Sequence, residues 1–299
     1  MSQSIMDAKV SIESKGIRIE SPQSKHLAAT IYVPQQLIGA VLIGPATGIK
    51  RQFYDNFAKY LAEQGYGVLT FDNEGIGGSL EGNIKDCSAS LVSWGQHDLT
   101  LAINALVESF PQTTYHLVGH SAGGQLIGLA ENAQQLHSAF NIACSSGRLR
   151  NMKLSYRLKA HYFMNFYIPL NNTLFGYTHS DWVGMGEKLP LEVASQWRKW
   201  CNGQGYVKTA FGREVTSHRY NTLELPICWL NAADDDIAND ANVDDMISVF
   251  TQSVATRKHL KPAEQNLSEI GHMKFFSRKS AKLWPLVTDW LAEHTPKPY

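Results

Sequence analysis

The sequence predicts an α/β fold in which a mostly parallel central sheet is flanked by helices and carries one inserted segment. Two observations predict it. Through residues 1–146, and again over 222–299, short apolar runs bounded by Gly and Pro alternate with amphipathic stretches, the rhythm of strand–helix–strand units. Between these blocks, residues 147–221 turn aromatic and irregular ("HYFMNFYIPLNN", "LFGYTHSDWVGMG", "ASQWRKWCNGQGY"), which reads as a cap inserted into one core.

Taken in order, "GIRIES" and "LAATIYVP" alternate as strands do, and "GAVLIGPATG" is a continuous apolar run ending in turn residues. "YDNFAKYLAEQGY" is amphipathic, with Phe57, Leu61 and Tyr60 toward one helical face and Gly65 as its stop. "GVLTFDNEG" reads as a buried strand, "LVSWGQHDLTLAINALVESF" as a helix ended by Pro111, and "TYHLVGH" as the next strand. A helix over "GQLIGLAENA" and a strand over "FNIACSS" follow. After the insertion the pattern predicts a strand at "LPICWLNAADDD", a helix near "VDDMISVF" and a strand near "NLSEIG". The closing helix, "AKLWPLVTDWLAEH", has Pro285 either kinking it or marking its first turn.

Composition narrows the partners. A hydrophobic content of 43% over 299 residues supports a sizeable core, and 27 basic residues balance 27 acidic ones. No overall field draws such a chain to nucleic acid or to a membrane, so the expected partner is a small, weakly charged molecule. The N-terminus, "MSQSIMDAKVSIESKG", lacks the apolar stretch of a secretory leader, and "YFMNFYIPL" is too short to span a bilayer, which predicts a cytoplasmic protein. Cys87, Cys144, Cys201 and Cys228 contain no C-x-x-C pair and give no disulfide or metal framework.

The chemistry centres on Gly119-His120-Ser121-Ala122-Gly123, a G-x-S-x-G sequence between an apolar strand and a helix. In that context the serine sits on a tight strand-to-helix turn where bulky neighbours clash. A serine hydroxyl is a poor nucleophile at neutral pH, so a histidine must take its proton and an acid must orient the histidine. With the chain order serine, acid, histidine, Asp235 best fits the position just past the strand "ICWLNA", with Asp234 the alternative. His272, after a glycine in "SEIGHMKFF", is the expected base, and His259 in the basic segment "TRKHLKP" is its competitor. The oxyanion formed on attack needs N–H donors. Ala122 supplies one, and the loop "IGPATG" the other, from Ala46 or alternatively Thr47, since Pro45 has no N–H.

These residues resemble the α/β-hydrolase superfamily, and within it a branch of bacterial predicted serine esterases or hydrolases of unassigned substrate. The resemblance runs over most of the chain and rests on "ATG", "LTFDNEGIGGS", "SWGQHDL", "GHSAGG", "GMGEKLP" with "QWRKWC", "ADDDIA" and "IGHMKFF". It implies Ser121, Asp235 and His272 as a triad and hydrolysis of an ester-like bond. One departure stands out: many relatives carry arginine in a D-x-R-G turn, whereas this chain reads Asp72-Asn73-Glu74-Gly75.

Other signals fail on spacing. "GPATGIK" lacks a phosphate loop's spacer and its Lys directly after glycine, and "GIGGSLEG" does not complete G-x-G-x-x-G, so no nucleotide cofactor is expected. The acids from Asp234 to Asp245 lack the ligand pattern of a calcium loop, and no H-E-x-x-H marks zinc. Cap aromatics such as Tyr162, Phe163, Phe166, Trp197 and Trp200 are expected to pack the insertion rather than line a pocket, and Trp94 and Asp98 to serve structure. A serine hydrolase acting on a small acyl compound leads. An acyltransferase using the same acyl-serine and a non-catalytic ligand receptor are the alternatives, the second disfavoured by a complete set of triad candidates in order.

Overall fold

The central strands form because their residues need no solvent face. β3 (Gly39–Gly44), β4 (Tyr66–Phe71) and β5 (Tyr115–His120) are buried at every position, as parallel strands covered on both sides must be. They lie in an eight-stranded sheet of order β1-β2-β4-β3-β5-β6-β9-β10, with β1 (Glu13–Glu20), β2 (His26–Val33), β6 (Ser138–Ile142), β9 (Pro226–Ala232) and β10 (Val254–Leu260). β2 runs antiparallel to β1 and β4, and all other neighbours in this sheet are parallel. The computed structural model from which these elements are taken describes residues 12–21 and 26–296. The reading of the N-terminal leader rests on residues 1–11, which lie outside the described residues.

Helices follow the strands as the sequence rhythm predicts. α1 (Asp55–Glu63) lays Phe57, Ala58, Leu61 and Ala62 against β4. α2 (Leu91–Ser93), started by the Ser90–Ser93 capping box, runs through a π-helical turn at Trp94–Asp98 into α3 (Leu99–Ser109). α4 (Ala122–Gln125) is a single turn, shorter than the helix expected over "GQLIGLAENA", and a 3₁₀ turn at Ile127–Leu129 takes its place. The cause is packing: a Cβ at Gly128 would overlap the buried Tyr220 ring, and Tyr220 Oη donates to the Gln125 carbonyl at 2.6 Å.

Between β6 and β9 the chain forms α5 (Leu154–Tyr162), a π turn (Phe163–Tyr167) and α6 (Ile168–Phe175) as one continuous helix. A two-strand ladder of β7 (Tyr177–Thr178) and β8 (Leu189–Pro190) and then α7 (Leu191–Asn202) follow. Val193, Trp200 and Tyr206 are fully buried and hold this segment to the core.

At the C-terminal end one expectation is corrected. The strand predicted near "NLSEIG" is a loop, and the last strand is the charged "VATRKHL" of β10. β10 is a sheet edge with four exposed residues at its start, so it shows no apolar run, and its Arg257 pairs with Asp240 and Asp244 of α8 (Asp240–Ile247). Pro285 begins α9 (Pro285–Glu293) at its first turn and does not kink it.

Candidate active site

Ser121 follows β5 at φ 49° and ψ −118°, a conformation outside the allowed regions for most side chains, held by hydrogen bonds from Ser121 N to Ile142 O and from Gly124 N to Ser121 O. The small neighbours have a steric cause. A Cβ on Gly123 would overlap the carbonyl of Gly44, and one on Gly44 would come within 2.8 Å of the Gly123 oxygen, so β3 and the turn after Ser121 touch backbone to backbone.

His272 lies in the loop after β10, and its Nε2 is 3.1 Å from Ser121 Oγ. Its Nδ1 is 2.8 Å from Asp235 Oδ2. A carboxylate only accepts, so Nδ1 carries the proton and Nε2 is left free to accept the serine's. Asp235, buried just past β9, also receives Ile237 N and Ala238 N on Oδ1, each at 2.9 Å. Burial works to raise its pKa, but the adjacent imidazole and these hydrogen bonds outweigh it and hold the carboxyl below the usual range. For His272 burial works downward, and the Asp235 charge and hydrogen bond prevail, leaving the imidazole above the ordinary histidine value.

The two alternatives from the sequence fall elsewhere. Asp234 accepts Ile270 N and Gly271 N at 2.9 and 3.0 Å and so anchors the loop that carries His272. His259 lies on the edge strand β10, paired with Asp240 at 3.0 Å.

For the oxyanion donors, Ala122 N begins α4, where a helix leaves its first N–H groups unpaired. Ala46 requires a correction: its N–H already donates to Tyr54 Oη at 3.0 Å, because the turn after β3 brings that ring under the loop. Among the described residues the Thr47 N–H has no such partner, and Thr47 lines the same cavity as Ser121.

Sequence reasoning passed over one group. Tyr54 Oη lies 2.8 Å from His120 Nδ1, and His120 Nε2 lies 2.9 Å from the carbonyl oxygen of His272. The carbonyl only accepts, so Nε2 bears the proton, Tyr54 donates to Nδ1, and the Ala46 N–H donates to Tyr54. Burial, and then the nearby His272, push the pKa of His120 down to about 3, so this ring stays neutral. The G-H-S sequence was the only hint, and the partner tyrosine is fixed by tertiary contact alone.

Ser121 and His272 open into a cavity of about 610 Å³. Its lining includes Met152, Tyr156, Tyr162, Phe163, Met164 and Trp197, so three of the aromatics expected to pack the insertion reach the cavity, Phe163 and Trp197 while also packing against the core. Trp200 is buried in packing, while Tyr162 and Phe166 are exposed. Burial holds the Cys144 thiol protonated beneath the elbow and pushes the cavity-lining Cys201 up to about 12, so neither is a thiolate nucleophile. Trp94 Nε1 donates to Glu74 O at 3.0 Å and Asp98 Oδ2 accepts Glu74 N at 2.8 Å, so both fix the turn that departs from D-x-R-G. The buried Asp72 of that turn is neutralised by Arg51.

With this geometry in place, the comparisons with known proteins are informative. The family described as serine aminopeptidase, S33, matches residues 35–164. No curated protein matches. Among solved structures, a soluble variant of monoglyceride lipase from Saccharomyces cerevisiae in complex with a substrate analog is 14% identical, covers 100% of both chains and has a TM-score of 0.66. A thermostable carboxyl esterase from Bacillus coagulans is 13% identical over 95% of this chain and 99% of its own, with a TM-score of 0.62. An esterase of Pyrococcus furiosus is 13% identical over 95% and 91%, with a TM-score of 0.61. At such identities the likeness is one of fold, and that fold agrees with the sheet order and with the family match. The chain has the α/β-hydrolase fold.

Proposed function

We propose that this protein is a serine hydrolase that cleaves a carboxylic ester, or a related acyl compound, through an acyl-serine intermediate. The observation that carries the reading is the unbroken hydrogen-bonded series Ser121 Oγ, His272 Nε2, His272 Nδ1, Asp235 Oδ2, opening on an apolar cavity.

In this reading Ser121 Oγ attacks the substrate carbonyl as His272 Nε2 takes its proton, and Asp235 stabilises the imidazolium that results. The negative oxygen is met by the N–H groups of Ala122 and Thr47. His272 then protonates the departing alcohol, and water repeats the cycle in reverse to free the acid. Residues 147–221 act as the cap and supply the acyl wall of the cavity through Met152, Phe163, Met164 and Trp197.

An acyl substrate fits better than a free peptide amino terminus. Among the described residues that line the cavity there is no carboxylate to hold an ammonium group, and Lys159 is the one lysine or arginine. The printed names of the fold neighbours, esterases and a monoglyceride lipase, point the same way. Hydrolysis of p-nitrophenyl esters graded in acyl length tests the proposal. Turnover that is lost in Ser121→Ala supports it, and a folded, pure protein inactive on every chain length speaks against it.

A further inference from the structure

Six apolar side chains recur every four residues along the continuous helix of α5, the π turn and α6: Leu154, Leu158, Tyr162, Phe166, Leu170 and Leu174. All six face solvent, with exposures between 44% and 64%. A four-residue repeat drifts about 40° per step around an ideal α-helix. The π turn at Phe163–Tyr167 takes up an extra residue and slows the drift, so the row stays on the outer side. None of the nine residues of α5 is fully buried, and of its apolar side chains Tyr156 and Ala160 alone pack against the core, so the helix is held by a narrow inner face. The exposed Trp182 and Val183 extend the apolar surface, and Val183 and Tyr162 also line the cavity that holds Ser121.

Charge on this segment is one-sided. From Gly147 to Ser180 the chain carries Arg148, Arg150, Lys153, Arg157 and Lys159 and no Asp or Glu, although the whole chain is balanced. Lys153 lies 3.5 Å from Asp236, and Arg157 reaches the Arg150 carbonyl at 3.4 Å. The nearest acid in sequence, Asp181, is hydrogen-bonded to His179. Among the described residues no helix is long and apolar enough to cross a membrane.

We propose that this face rests on an anionic phospholipid bilayer, with the apolar row at the boundary of headgroups and acyl chains and the five cations against lipid phosphates. A second copy of the chain is a poorer occupant, since it would bring like charges together. The whole-chain charge balance, which predicts no membrane partner, averages this asymmetry away. In this arrangement the rim of the cavity lies at the lipid surface, so the acyl substrate enters from the bilayer. That last step rests on the function proposed above, whereas bilayer binding does not.

Sedimentation of the full chain with vesicles tests the proposal. The protein is expected to pellet with vesicles of phosphatidylglycerol and phosphatidylcholine, about tenfold or more weakly with phosphatidylcholine alone, and more weakly as salt rises. The double variant Leu158→Glu, Phe166→Glu is expected to lose about tenfold or more of this binding while turning over a soluble short-chain ester within about twofold of the parent. Ser121→Ala is expected to bind vesicles like the parent, which separates failure of docking from failure of catalysis. Parent protein that stays in solution with anionic vesicles overturns the proposal. So does unchanged binding by the double variant, or lipid-free self-association that the double variant abolishes.

Discussion

The hydroxyl of Tyr54 sits between the Ala46 N–H, at 3.0 Å, and His120 Nδ1, at 2.8 Å, and so ties the loop after β3 to the ring that supports the His272 backbone. Tyr54→Phe leaves a buried N–H and a buried ring nitrogen without partners. The expected result is a loss of about 1–3 kcal/mol of stability, read from denaturant midpoints. A larger fall in kcat than rise in KM is also expected, because it is the imidazole that shifts. A variant equal to the parent in both measurements contradicts this role.

Asp235 and Asp234 are adjacent in sequence and hold different parts of one loop. Asp235→Asn preserves the shape but no longer favours the tautomer with the proton on Nδ1, and kcat is expected to fall about 10⁴-fold. Asp234→Asn weakens the anchoring of Ile270 and Gly271, and a displacement of the base costs about 10²-fold or less. Steady-state kinetics of the two variants side by side reverse this assignment if the second loses more than the first.

In the proposed mechanism Thr47 takes the place of Ala46 as the second oxyanion donor, because the Ala46 N–H is bonded to Tyr54, and the donor is a backbone N–H. Thr47→Val keeps that N–H and is expected to keep most activity, while Thr47→Pro removes it and is expected to lose about 10²-fold or more in kcat. Circular dichroism checks that both remain folded.

The pH dependence follows from three histidines. In the proposed mechanism His272 is the base and must be neutral to act, and the Asp235 carboxylate holds its pKa above the usual value. kcat/KM is therefore expected to rise with pH through a midpoint above about 6.5. His120 and His116 are buried and neutral, each pushed down to about 3, chiefly by burial. Their folded values lie below their unfolded ones, so the stability they contribute is present above about pH 6.5 and is lost as pH falls toward 3. Each group adds up to about 1.4 kcal/mol of lost stability per pH unit in that window. Denaturant titrations at pH 5 and 7.5 are expected to show the lower midpoint at pH 5, and equal midpoints contradict the buried neutral assignment.

Much of this was legible in the sequence for identifiable reasons. The central strands announce themselves because they are apolar at every position, and the elbow because Gly44, Gly119 and Gly123 sit where backbones touch. Ser121, Asp235 and His272 lie within hydrogen-bonding reach as their order and strand-end placement suggested. The edge strand β10 was hidden because a half-exposed strand carries charge, and "NLSEIG" misled because its apolar residues serve a loop pinned by Asp234. That the Ala46 N–H is occupied by Tyr54, and that His120 bridges Tyr54 to His272, depends on contacts between residues far apart in sequence, which periodicity does not encode.

The most direct test of the central claim is to expose the protein to a fluorophosphonate and map the adduct by peptide mass spectrometry. A single adduct on Ser121 is expected, formed far more slowly in His272→Ala and absent in Ser121→Ala. No adduct on folded protein, or one that persists at another residue in Ser121→Ala, contradicts it.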